Sequence, residues 1–293
     1  MTALNSITLQ CPAKINLSLD ILGKRPDGYH ELQTIMQSVS LYDEISIKKT
    51  DSEGISLSCN FSYIPIDERN VAYKAAKLFF EATGINQSIH ISIKKIIPVG
   101  AGLAGGSTNA AGVLIGLNKM FDFPLSEHKI LEIGKAVGAD VPFCINGGTC
   151  FCEGLGEILT PLKPMPNCYF VIVKPKESVS TPKVYSMLSK NAIINRPFTD
   201  KLLQTIEDGN LNLLTKYVFN VMEDTAISIC PSISTVKSML SKYSPMCVMM
   251  SGSGSSVFAI FNNQDYAQKC KNEMKKHYSS AFICSPCQGI IEN

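Results

Sequence analysis

Residues 98–112 read PVGAGLAGGSTNAAG, and no other stretch of the chain narrows the fold as far. Five glycines fall within fifteen residues. The alternating segment SIHISIKKII precedes them, and STNAAGVLIGLNKMF, helical in character despite its glycines, follows. That order predicts a strand, a wide glycine loop and a helix. Glycine tolerates positive φ and lets backbone approach a guest closely. The free N–H groups at a helix start carry about half a positive charge, which favours a phosphate. Ser107 and Thr108 add hydroxyls to the first turn. On the loop alone, a plain glycine-rich connection remains the competing reading.

Known phosphate loops separate on context. Gly100, Gly102 and Gly105 satisfy G-x-G-x-x-G, a weak signal by itself. A dinucleotide fold then needs a second parallel strand carrying an acidic residue, whereas here a second helix, SEHKILEIGKAVG, follows. A P-loop needs Gly-Lys-Ser/Thr, which the chain lacks. The His-Arg-Asp and Asp-Phe-Gly partners of protein kinases are missing as well.

Around the loop, the N-terminal sixty residues alternate as strands: ITLQC, INLSLDI, LQTIMQSVS, EISIKKT and GISLSC, with KRPDGYHE and DSEG as turns. NVAYKAAKLFFEATG spaces its apolar residues as a helix ending at Gly84, and Ser126 and Gly138 bracket another. ADVPFCINGG reads as a turn, and TCFCEG and EILTPL as a strand pair. Prolines cluster at KPMPN, residues 163–167, and suggest a boundary there. From residue 168 the order approximates β-α-β-β-α-β with extra helices at the first crossover, a ferredoxin-like split βαβ.

The net charge of +2, with 45% hydrophobic and 18% charged residues, gives no reason to expect nucleic-acid or membrane binding driven by charge. No apolar run approaches the roughly 18 residues that span a bilayer. The start MTALNSITLQ has neither the basic nor the apolar region of a secretory signal. Eleven cysteines, scattered through apolar strands, fit reduced and buried small hydrophobes of a cytoplasmic protein. Cys284 and Cys287 form a lone CxxC without the second pair a zinc site needs.

Three segments together resemble the GHMP kinase superfamily: PAKINLSLDILGKRPDGYHEL at residues 12–32, the glycine loop, and MMSGSGSSVFAIF at residues 249–261. PAKINL followed by DGYH, with GADVPFC at residues 138–144, is most similar to the branch acting on a cytidine diphosphate derivative in non-mevalonate isoprenoid synthesis. The resemblance implies an α+β, two-domain fold. Residues 1–165 would form a ribosomal-protein-S5-like β/α domain with the ATP loop, and residues 166–293 the ferredoxin-like domain. It further implies an ATP-dependent small-molecule kinase using Mg2+, a monomer or weak homodimer with no nucleic-acid or membrane partner.

Residue by residue, the resemblance implies that Asp140 is the general base and Lys14 its charged partner. Asn16, Tyr29, His30, Thr181 and Tyr185 would hold the substrate, the two tyrosines sandwiching the cytosine while His30 reads its edge. Asn70, Lys95, Pro98, Gly100, Gly102, Leu103, Ala104, Gly105, Gly106, Ser107 and Thr108 would hold ATP, with Ser107 a candidate magnesium ligand. Without the family, each has a plainer reading. Asp140 and Asn70 are plausible helix caps, Lys14 a solvated strand lysine, Tyr185 a helix core residue and His30 a turn residue. Three other functions remain open: a mevalonate- or homoserine-type GHMP kinase, a nucleotide-binding regulator without catalysis, and a Rossmann oxidoreductase.

Overall fold

The alternating N-terminal segments fold into two long strands instead of four short ones. The computed structural model describes residues 4–188, 193 and 195–292. In it β1 (Ser6–Lys24) pairs antiparallel with β2 (His30–Lys49), and register shifts interrupt the ladder at Pro12/Ala13, Asn16/Ser18 and Ile21/Gly23. The first of these shifts coincides with an exchange of faces along β1. Ile7, Leu9 and Cys11 accordingly enter one core, while Ala13, Ile15 and Leu17 enter another. Lys14 and Asn16 are thereby left on the side of the strand that faces a cleft.

The chain continues through β3 (Ile55–Cys59), α1 (Val71–Thr83), β4 (Ile89–Lys94), α2 (Gly105–Met120) and α3 (Glu127–Val137). Then come α4 (Val141–Asn146), β5 (Thr149–Gly154) and β6 (Ile158–Pro161). The first sheet runs β12-β1-β2-β4-β3, where β12 is Ile291–Glu292, with β5 and β6 added beyond β2 and β8 (Phe219–Asn220) beside β1. The segment read as a turn, ADVPFCINGG, contains α4: Pro142 sits in its first turn, where a missing N–H is harmless. Six residues are too few for helical periodicity to show in the sequence.

The C-terminal elements are β7 (Tyr169–Val173), α5 (Thr181–Leu188), α6 (Thr199–Glu207), α7 (Leu211–Tyr217), β8 (Phe219–Asn220) and α8 (Glu223–Ile229). They end with α9 (Ser232–Ser241), β9 (Cys247–Met250), β10 (Val257–Phe261), α10 (Gln264–His277), β11 (Ala281–Cys284) and β12 (Ile291–Glu292). Four of these strands form a second sheet ordered β11-β7-β10-β9, the arrangement of a split βαβ. The two-residue strands β8 and β12 leave that sheet and pair with β1.

Three cores follow from this layering. One lies between helices α1–α4 and the first sheet, around Phe79, Leu114 and Phe143. A second lies between the sheets, where Ile15 and Leu17 share a cluster with Phe170 and Phe258. The third joins the far face of the second sheet to the C-terminal helices, through Val171, Val236 and Met274. Among the described residues no helix is long and apolar enough to cross a membrane.

Candidate active site

The glycine loop hangs between β4 and α2 from a buried carboxylate. Asp43 of β2 is fully buried, and its Oδ1 accepts the N–H groups of Ile96 at 2.7 Å and Ile97 at 2.9 Å. Its Oδ2 takes the Lys95 ammonium and, at 2.9 Å, the Asn109 amide. Lys95 also reaches Asn109 Oδ1 at 3.1 Å. This ammonium therefore supports the loop from beneath, already neutralised by Asp43. Neither Asp43 nor Asn109 carries a signal in the sequence beyond ordinary polarity, so their role emerges only from the fold.

Beyond that anchor the backbone turns sharply, with Gly100 at φ 61°, Gly102 at φ 73° and Ala104 at φ 55°. Ala104 occupies the left-handed region despite its side chain, a conformation costing roughly 1–2 kcal/mol. It is also the N-cap of α2, and no side chain caps that helix. The helix start thus offers its N–H groups to the cleft, beside the hydroxyl of Ser107. Leu103 is buried, and its carbonyl accepts the Lys14 N–H at 3.1 Å, which fastens the loop to β1. Pro98, Gly105 and Gly106 complete this wall. Thr108, read from the sequence as a phosphate-side hydroxyl, is wholly buried and absent from the cleft lining, because its position in the first turn faces the core.

Facing the loop, Lys14 and Asn16 are buried but polar, at 5% and 2% exposure. The Lys14 ammonium donates to Asn16 Oδ1 at 2.8 Å and lies 3.6 Å from Asp140 Oδ2. Asn16 in turn donates to Thr34 Oγ1 at 2.8 Å, and Thr34 donates to the Ser18 carbonyl at 2.5 Å. These links fix the lysine head, which the bulged register has turned away from bulk water. Asp140 stands at the N-cap position of α4, yet its carboxylate makes no capping bond. Among the described residues it is the one carboxylate that lines the cleft. The Cys144 thiol beneath it is buried, and that burial, with the charge of Asp140, raises its pKa so that it stays protonated.

A third wall comes from residues 251–254. Ser251 Oγ donates to the Gly102 carbonyl at 3.0 Å, and the Ser256 N–H to the Ala101 carbonyl at 3.3 Å. A Cβ on Gly102 would fall 2.1 Å from the Ser251 carbonyl oxygen. Ser253 Oγ lies 2.6 Å from Thr181 Oγ1 at the start of α5.

At one end of the cleft Tyr29 is 64% exposed in the β1–β2 turn. His30 stacks on Tyr185, ring centroids 4.9 Å apart and 25° from parallel. Burial, and then the charge of Asp140, pushes the Tyr185 phenol above its ordinary pKa and keeps it neutral. At the other end Asn70 caps α1: its Oδ1 accepts the Ala72 N–H at 2.9 Å, and its amide donates to the Pro65 carbonyl at 2.7 Å. Tyr63, Pro65, Val71 and Ile93 form an apolar slot beside it. All the expected site residues except Thr108 therefore line one cleft of 1080 Å³.

Comparison with known proteins shows the family. Residues 70–148 match the GHMP kinases N terminal domain, and residues 202–280 match the GHMP kinases C terminal domain. A 4-diphosphocytidyl-2-C-methyl-D-erythritol kinase of Clostridium botulinum is 46% identical over 277 residues, 94% of this chain and 99% of the relative. The chain belongs to the 4-diphosphocytidyl-2-C-methyl-D-erythritol kinase family of GHMP kinases. A crystal structure of 4-(cytidine 5'-diphospho)-2C-methyl-D-erythritol kinase superposes on this GHMP kinase with a TM-score of 0.81 at 30% identity, covering 95% of this chain and 98% of the other. The homoserine kinase of Cytophaga hutchinsonii, at TM-score 0.80 and 20% identity over 100% of this chain and 99% of its own, shares the fold. As a member of this family the protein is an ATP-dependent small-molecule kinase.

Proposed function

We propose that this GHMP kinase transfers the γ-phosphoryl group of ATP to the C2 hydroxyl of 4-diphosphocytidyl-2-C-methyl-D-erythritol, a step of non-mevalonate isoprenoid synthesis. The observation carrying the mechanism is the Lys14–Asp140 pair facing the uncapped start of α2. Asp140 accepts the hydroxyl proton as the acceptor oxygen bonds to the γ-phosphorus and the bridging bond to ADP breaks. A tertiary alcohol is weakly acidic and crowded, so a placed base and strict alignment both lower the barrier. Lys14, 3.6 Å from the Asp140 carboxylate, orients it and offsets the negative charge between acceptor and phosphate.

The two ends of the cleft then divide the ligands. Asn70 and the apolar slot receive the purine, while residues 98–107 wrap the phosphates, supported from below by Lys95. Tyr29 and Tyr185 flank the cytosine, with His30 at its edge and Thr181 beside the diphosphate. Asn16 positions Lys14 and faces the acceptor. The Ser107 hydroxyl at the start of α2 would hold a magnesium ion together with the nucleotide phosphates. When bound, that ion neutralises phosphate charge. We also place a division of the chain near residue 165, with the phosphate loop and base in the first part and the Ser251–Gly254 turn in the second.

The test is ADP release by the purified chain with ATP, magnesium and the cytidyl substrate, run beside mevalonate and homoserine. Turnover of the cytidyl substrate alone is expected. Faster turnover of mevalonate or homoserine would reassign the acceptor, and ATP binding with no transfer to any of the three would contradict the kinase mechanism.

A further inference from the structure

Asn220 belongs to a two-residue strand and is still only 3% exposed. Its backbone pairs with Leu19, on the strand that also carries Lys14 and Asn16. Its side-chain amide donates twice, to the Met250 carbonyl at 3.0 Å and the Gly252 carbonyl at 2.8 Å. Its Oδ1 accepts the Met222 N–H at 2.9 Å. A buried amide with donors and acceptor engaged is held firmly, and it holds what it touches. Glu223 reinforces it: Oε2 accepts the Met250 N–H at 2.8 Å while Oε1 pairs with Lys237.

These bonds secure one side of the Ser251–Gly254 turn. The other side rests against the glycine loop through Ser251 and Gly102, and Ser253 meets Thr181. The turn therefore spans the space between the nucleotide loop and the acceptor end. The Met250 and Gly252 carbonyls are thereby tied, through Asn220, to the strand that carries Lys14.

We propose that Asn220 is a positioning residue for phosphoryl transfer, a peg that sets the separation between the phosphate loop and the acceptor. It touches no ligand and acts through the turn; the inference rests on the kinase reading above. Without the peg, each ligand keeps its own contacts: Asn70 and the loop for ATP, Tyr29, His30 and Tyr185 for the cytidyl group. Alignment between them is what slackens. A misplacement of about 1 Å is enough to cost on the order of 10²-fold in rate.

The experiment compares Asn220→Ala and Asn220→Asp in the full chain, each assayed below its own melting temperature. Aspartate keeps the shape but cannot donate to two carbonyls, so both variants are expected to lose about 10–100-fold in kcat. The KM values for ATP and acceptor should stay within about 3-fold, since uniform binding is untouched. A residue with only a structural role would lower the melting temperature and leave kcat alone; that result overturns the proposal, as does a rise in both KM values at constant kcat. If neither variant folds, Ser251→Ala decides, because it removes only the hydroxyl bonded to Gly102. A several-fold fall in its kcat supports the peg, and an unchanged kcat overturns it. The loss is read on whichever acceptor the unaltered protein turns over, so failure of the substrate assignment and failure of the peg are separate results.

Discussion

Tyr29 shows how much a single side chain can decide. It is largely exposed at the mouth of the cleft, with its N–H bonded to Asp27 Oδ1 at 3.1 Å in a turn that Arg25 helps close. An aromatic face of this kind contributes about 1–3 kcal/mol to a stacked base. Tyr29→Ala should therefore raise KM for the cytidyl substrate by about 10-fold or more and leave KM for ATP unchanged. Equal weakening of both, in steady-state titrations, would remove Tyr29 from the cytosine site. Other residues were legible to different degrees. Asn70 as a cap follows from local chemistry, since its partners lie within a few residues. Lys14 did not: by type and spacing it reads as a solvated lysine, and only the shift at Pro12/Ala13 turns it inward. Asp140 looks like a cap in the sequence, but its nearest charged partner is Lys14, 126 positions away by sequence number.

Among the elements, the glycine loop and the Ser251–Gly254 turn interlock at backbone level, and Gly102 is the contact. Its φ of 73° and the 2.1 Å clearance to the Ser251 carbonyl leave no room for a methyl group. Gly102→Ala should lower kcat/KM for ATP by about 10-fold or more and reduce the melting temperature, through strain at a left-handed position and a forced separation of loop and turn. Normal ATP kinetics in that variant would show that the two elements need not touch. The β5–β6 turn makes a pH-dependent case. Burial works to raise the Glu157 pKa, but backbone N–H donors and Lys135 outweigh it and hold the carboxyl below its ordinary value. A depressed folded value means the stabilisation is complete above the unfolded carboxylate range, near about 4.3, and is lost as pH falls through the folded value. The stability gap between the unaltered chain and Glu157→Gln should therefore be larger at pH 6 than at pH 3. A gap independent of pH, in melting curves, would contradict this. Helix α2 and the β9–β10 hairpin were legible because alternation and helical spacing are local. The two-residue strands β8 and β12 were not, since pairing partners on β1 decide them.

At the scale of the molecule, the cleft exists because two sheets meet face to face and β1 serves both sides. The first sheet and its helices supply the loop, Lys14 and Asp140, while the remainder supplies the turn, Thr181 and Tyr185. Motif order in the sequence was sufficient to expect this family, but not the buried Asp43 support or the Asn220 contacts, which join residues dozens of positions apart. Of the CxxC pair, Cys284 is buried in the core between the sheets and Cys287 is partly buried. We propose that ATP delivers its terminal phosphoryl group to an alcohol deprotonated by Asp140. Asp140→Asn tests this most directly, with ADP release followed at saturating cytidyl substrate and both ligands titrated separately. Turnover should fall about 10²–10⁴-fold while ATP and substrate still bind within about 3-fold of normal. Turnover at the unaltered rate would contradict the account.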